Sequence, residues 1–305
     1  MKRGVVTSPW GVWKQPQRAR VRGQRAVIWK EKGGGKLIRP NTCCSDARCR
    51  LPKLLPALTP GWLADLAGAW VFYSVLPAWP WITPRFERIA RFGPLIGLVI
   101  GGLQGFFWWL TAGWLPLGAQ LALALALALL LTGGLHLDGA MDTADGLGAG
   151  PRALEAMADS RVGAFGVQAL ALLLLLRAAA LLCLAGAAPL ALVWAAFWGR
   201  MAPLVAMHGF PYLREQGSAG FHRQHWRGLG AELVPALVVL LVALLGWVWA
   251  AWPLPDGWGL VPALLVPLWL GRRLGGHSGD SYGASVEWAE TLALLLSGLG
   301  LRLAA

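Results

Sequence analysis

A chain of 305 residues that is 56% apolar and only 14% charged, with 19 Trp, lies far from the roughly 25% charged composition of soluble domains and excludes an ordinary water-soluble globular protein. Lys and Arg outnumber Asp and Glu by 27 to 15, but residues 1–60 hold 14 of the basic and 2 of the acidic groups, which is the whole formal charge of +12. Residues 61–305 are neutral, so the high isoelectric point is no argument for nucleic-acid binding by the main body. Cys43, Cys44, Cys49 and Cys183 form neither a disulfide framework nor a paired CxxC metal site.

Residues 1–60 are basic, contain Gly and Pro, lack helix or strand periodicity and end in the proline-rich stretch Leu51–Pro60. That composition predicts a disordered extension, or translated leader ahead of a start near Leu51–Trp62. The basic beginning is not followed by the apolar core of a signal peptide. Residues 61–305 form the second unit. Trp62–Trp81 is apolar but broken by Pro77 and Pro80 and reads as an interfacial or re-entrant helix. Runs near the roughly 20 residues of a bilayer crossing follow at Pro94–Trp114, Leu117–Leu135, Val167–Gly186, Leu190–Met207, Ala231–Trp252, Trp258–Gly271 and Trp288–Leu303. The last two are short or interrupted. The predicted fold is all-α, a polytopic integral membrane bundle of six or seven transmembrane helices.

Lys and Arg mark cytoplasmic loops. Arg85, Arg88 and Arg91 precede the first run, Arg152 and Arg161 separate the second and third, Arg214, Arg223 and Arg227 follow the fourth, and Arg272 and Arg273 follow the sixth, whereas the alternate connections contain neither residue type. The polar loops therefore share one face, expected to be cytoplasmic. Arg302 is the exception.

The chemistry concentrates in three of these loops. In Gly133–Leu147, Asp138, Asp142 and Asp145 fall within one 60° arc of a helical wheel at about 100° per residue. Like charges so clustered repel, and oxygen-only ligands favour Mg²⁺ or Mn²⁺ over zinc. His136 lies about 160° from that arc, where capping or loop packing competes with substrate contact. Further on, Asp159 is a candidate ligand or base and Arg161 a phosphate contact, against the plainer reading of a local Asp159–Arg161 pair. Arg200, inside the fourth run, must face the bundle interior or a wet cavity, and Arg214 adds a cation on the same side. Phe221–Arg227 reads as an interfacial anchor. In Gly275–Ala284, glycines surround His277 and Asp280, with Glu287 seven residues beyond Asp280. Arg177, mid-run, has no role from the sequence.

Three segments carry a resemblance in order: Gly-Gly-Leu-His-Leu-Asp-Gly-x-x-Asp-Thr-Ala-Asp-Gly from Gly133, Asp-Ser-Arg-x-Gly-x-x-Gly from Asp159, and Gly-His-x-Gly-Asp-x-x-Gly-Ala from Gly276. With the basic entry Arg85–Gly97, residues 60–305 resemble the cobalamin synthase family, the adenosylcobinamide-GDP ribazoletransferases. The resemblance implies a Mg²⁺-dependent enzyme of the bacterial inner membrane. It joins adenosylcobinamide-GDP to α-ribazole or its 5′-phosphate and releases GMP, with other cobalamin-assembly enzymes as candidate partners. On that reading Asp138, Asp142 and Asp145 hold the metal, and Asp145, Asp159 and Asp280 are candidates for base. Arg161, Arg200, Arg214, His136 and His277 are candidates for substrate contact. A CDP-alcohol phosphotransferase, whose pattern places Ala-Arg where Asp142-Thr143 stands, and a cation transporter are the alternatives.

Overall fold

The computed structural model describes residues 17–21, 24–28, 59–214 and 219–304. The chain divides into two units, Met1–Leu55 and Pro56–Ala305. In the first, strands β1 (Gln17–Val21) and β2 (Gln24–Ile28) pair antiparallel, with Gln17 opposite Ile28. The sequence shows no strand periodicity there; the remainder of the predicted disordered extension lies outside the described residues.

The second unit is all-α. Its helices are α1 (Gly61–Tyr73), α2 (Gly93–Thr111), α3 (Leu117–Thr132), α4 (Leu135–Ala149), α5 (Ala153–Ala156), α6 (Ala164–Leu184), α7 (Ala188–Gly209), α8 (Gly220–Gln224), α9 (Leu229–Ala250), α10 (Leu260–Leu274) and α11 (Gly279–Ala304). Each predicted apolar run is a helix, and the segment before the first run is helical only as far as Tyr73. Among the described residues, three helical stretches are long and apolar enough to cross a membrane: Ala90–Thr111, Ala164–Gly209 and Leu229–Ala250. A fourth qualifies if α3 and the bent segment after it count as one span. Six or seven spans exceed this count because the 46-residue stretch holds both α6 and α7, α10 has only 15 residues, and α11 carries acids in its first half. On α9, Leu237, Val238, Leu241, Val242 and Leu245 are exposed. An apolar helix surface of that extent belongs against lipid.

Helices in lipid gain little from hiding apolar surface and rely on close packing, which small residues permit. Along α2 a Cβ at Gly97, Gly101 or Gly105 would lie 2.4, 2.4 and 2.5 Å from the carbonyl oxygens of Ala196, Leu192 and Pro189 on α7. The two helices therefore run antiparallel with backbones in near contact. α11 forms the other axis of the bundle. Gly199 of α7 meets Glu290, Gly298 meets Ala180 and Cys183 of α6, and Gly283 meets His136 of α4.

Charges inside the bundle pair off, because an isolated one is costly in lipid. Arg177 of α6 bridges Glu287 at 2.7 Å and Glu290 at 3.8 Å, while Arg200 of α7 pairs with Glu290. Nearer the loops, buried Asp65 accepts from Arg85 at 2.8 Å and lies 3.5 Å from Arg91, and Arg88 bridges Glu232 at 2.7 Å. The arginines that mark the polar face in the sequence thus also tie α1 and α9 to the start of α2.

Candidate active site

The aspartate helix owes its direction to two glycines. Gly133 and Gly134 take φ of 62° and 72°, in the left-handed region that glycine enters without penalty. The chain consequently turns 93° between α3 and the segment beginning at Leu135. α4 therefore runs across the direction of α3.

α4 then crosses the start of α11 at the closest approach glycine allows. A Cβ on Gly139 would stand 2.6 Å from the Asp280 carbonyl oxygen, and one on Gly283 would stand 3.1 Å from the His136 carbonyl oxygen. This crossing brings the first and third motifs together, 140 residues apart in the chain. The loop after α7 joins them through the backbone: His277 N–H donates to Pro211 O at 2.9 Å, and Leu213 N–H donates to His277 O at 2.8 Å. The next residue, Arg214, reaches Asp280 at 3.0 Å.

The result is a charge cluster of Asp138, Asp142, Asp280 and Arg214. Burial, then the negative charges of Asp138 and Asp280, push the Asp142 carboxyl up to about 7 against the pull of Arg214. Asp280 is also raised by burial, and Arg214 and the Ser278 hydroxyl oppose the shift. Beside the cluster lies a cavity of about 220 Å³ whose lining includes Asp138, Asp280, His136, Arg200, Tyr73 and His222.

The other predicted site residues lie elsewhere. Asp145, expected on the metal face, turns to the start of α6, where its two oxygens accept from Gly163 N–H at 2.7 Å and Gly166 N–H at 2.9 Å. It is held by the N–H groups that every helix start leaves unpaired, a competitor that a one-helix wheel does not include. Asp159 and Arg161 pair with each other, Nη2 to Oδ2 at 2.6 Å, and neither lines the cavity; Arg161 holds the Asp159 carboxyl at about 2. His277 is fully buried, with Nε2–H donating to Pro267 O at 3.0 Å and Nδ1 at 3.0 Å from the Ser281 hydroxyl. Both ring nitrogens are thereby engaged within the protein, and the residue is not among those lining the cavity.

Among the described residues, no three His, Cys, Asp or Glu side chains converge closely enough to hold a metal ion by themselves. The donor set nevertheless suits Mg²⁺, which is commonly bound by one or two carboxylates and completed by water and substrate phosphate. Asp138 and Asp142 supply that number.

Two features are not apparent in the motifs. His222, in the segment read as an interfacial anchor, is buried in the cavity wall, and burial lowers it to about 3, so it is neutral. Phe72 and Tyr73 add an aromatic wall, with Tyr73 stacked 6.0 Å from His136. The Arg177–Glu287–Glu290–Arg200 network did have a signal: two bases and two acids within apolar runs call for one another.

No solved structure matches the chain. Among curated relatives, adenosylcobinamide-GDP ribazoletransferase of Prochlorococcus marinus (strain MIT 9303) is 59% identical over 251 residues, covering 78% of this chain and 96% of the relative. The proteins of the same name from Thermosynechococcus vestitus (strain NIES-2133 / IAM M-273 / BP-1) and Synechocystis sp. (strain ATCC 27184 / PCC 6803 / Kazusa) are 44% and 39% identical. They cover 76% and 77% of this chain and 95% and 94% of their own lengths. The family model described as cobalamin-5-phosphate synthase matches residues 65–298, a range that contains α4, the start of α11 and every residue of the charge cluster, and the chain belongs to that family.

Proposed function

We propose that the chain is an adenosylcobinamide-GDP ribazoletransferase of the bacterial inner membrane, with its site on the cytoplasmic face. A ribose hydroxyl of α-ribazole, or of its 5′-phosphate, attacks the cobinamide-linked phosphorus. The new O–P bond forms as the bond from that phosphorus to the bridging oxygen breaks, and GMP leaves with that oxygen. The observation that carries the reading is the crossing of α4 and α11, which gathers Asp138, Asp142, Asp280 and Arg214 beside a cavity that also presents Arg200.

Each group has a distinct task. Asp138 and Asp142 would hold Mg²⁺, which would supply positive charge to neutralise the pyrophosphate oxygens. Asp280, which lines the cavity beside Arg214, takes the proton of the attacking hydroxyl as general base. Arg214 orients Asp280 and, with a buried Nη2 that has no partner, is available to a phosphate oxygen. Arg200, in the cavity lining and paired with Glu290, supplies a second cation for charge developing in the transition state. Asp145 acts through position, by seating α6 on α4.

Purified full-length protein with Mg²⁺ is expected to release GMP from adenosylcobinamide-GDP only when α-ribazole or its phosphate is present. Release of CMP from a CDP-alcohol, or cation uptake into liposomes with no nucleotide turnover, would overturn the assignment.

A further inference from the structure

The cavity beside the carboxylates is small and selectively built. Its volume of about 220 Å³ is below the roughly 300–1,000 Å³ typical of pockets that enclose a drug-sized ligand, and a corrin macrocycle is larger still. One bicyclic base is the right scale. Phe72, Tyr73, Pro203 and Met207 give it apolar and aromatic walls, the surroundings in which a flat ring stacks well.

Three polar side chains in the lining are buried almost completely: His136, His222 and Arg200 are 4%, 6% and 3% exposed. His136 Nδ1, His222 Nδ1 and Arg200 Nε have no hydrogen-bond partner. A buried polar group left unpaired costs about 1–3 kcal/mol, so a ligand bringing one acceptor into this wall gains by completing one of them.

Two bases are present in the reaction, and their edges differ. Guanine presents adjacent N–H donors, which call for a carboxylate facing them across the pocket. Of the cavity's carboxylates, Asp138 is exposed and Asp280 is engaged by Arg214. The base of ribazole, a dimethylated benzimidazole, is apolar apart from one acceptor nitrogen. Such a base matches aromatic walls that offer single N–H donors.

Resting on the transferase reading, we propose that this cavity is the subsite for the ribazole base, with His222 and Tyr73 as specificity-determining residues. The base stacks against the aromatic wall and its free nitrogen accepts one N–H from the lining. The attached ribose then extends toward Asp138 and Asp280, which line the same cavity. The corrinoid and the guanosine lie outside it.

The test titrates detergent-solubilised full-length protein with α-ribazole alone and with GMP alone, for wild type, His222→Phe and Ala219→Leu. His222→Phe keeps an aromatic ring, slightly larger, and removes the nitrogens; Ala219→Leu places bulk in the lining. Losing one neutral hydrogen bond predicts about 5- to 10-fold weaker α-ribazole binding by His222→Phe. Ala219→Leu weakens it at least as much, and GMP affinity stays within twofold in both. Unchanged α-ribazole affinity in a folded variant, or a loss of GMP affinity matching that of α-ribazole, would overturn the proposal. If one variant fails to fold, the other decides. A wild-type protein that binds α-ribazole in this way but releases no GMP with both substrates present would instead refute the transferase reading and leave the subsite standing.

Discussion

Replacing Gly139 by Ala tests whether the crossing of α4 and α11 builds the site. The added Cβ would lie 2.6 Å from the Asp280 carbonyl oxygen and 3.0 Å from its Cα, where ordinary contact begins at 3.4 Å. The obstacle is backbone, so no side chain can swing aside, and the helices must part by about 0.8 Å. Overpacking of this kind costs about 1–3 kcal/mol, which the bundle survives. Catalysis is less tolerant, because a displacement near 1 Å between reacting groups costs on the order of 10²-fold. The expected outcome is a folded protein with a slightly lowered melting temperature and GMP release reduced about 100-fold. Detergent-phase thermal unfolding and a steady-state GMP assay measure the two quantities on the same preparation. A Gly139→Ala variant with wild-type kcat would refute the reasoning, since the separation of α4 from α11 would then not set the positions of Asp138, Asp142 and Asp280.

Asp142→Asn is expected to abolish most turnover with the fold retained, and an active variant would remove Asp142 from the metal-binding role. The pH dependence of the metal-free protein has a definite sign. With the folded carboxyl raised to about 7, the native state binds more protons than the unfolded state between roughly pH 4 and 7, so this group makes stability fall as pH rises through that window; Asp142→Asn removes that part of the slope in melting temperature, and Mg²⁺ affinity falls as pH drops through 7. Asp145→Ala removes the acceptor of two N–H groups at the start of α6 and is expected to destabilise by about 0.5–2 kcal/mol, while hydrogen exchange should show faster opening at Gly163–Gly166. Arg177→Met leaves Glu287 buried without its 2.7 Å partner and is expected to cost roughly 3–5 kcal/mol. Adding Glu287→Gln should restore much of that stability, and a double variant no more stable than the single one would show that the two do not act as a pair.

Composition and apolar run length were enough to determine an all-α membrane protein, because a lipid phase lets only self-satisfied backbone cross. The helices α2, α3, α6, α7, α9, α10 and α11 all lie on runs visible in the chain. The motifs singled out Asp138, Asp142 and Asp280, and the rarity of charges in an apolar chain singled out Arg200 and Arg214, since acids and bases occur in such a chain mainly where they have partners or work. What one helix at a time does not contain is the neighbour that competes for a side chain. Asp145 is on the same wheel arc as Asp138, yet the α6 start captures it. Asp159 and Arg161 satisfy one another, and His277 is committed to Pro267 and Ser281. The cavity was invisible for the same reason, because Tyr73, His136, Arg200 and His222 come from four separate helices. Their meeting depends on a 93° turn at Gly133-Gly134 and on a backbone contact at Gly139. Local pattern therefore selected the secondary structure and the reactive residue types, while the choice among their possible partners was made only when the helices packed, because a hydrogen bond or charge pair formed across the bundle excludes every other use of the same atoms.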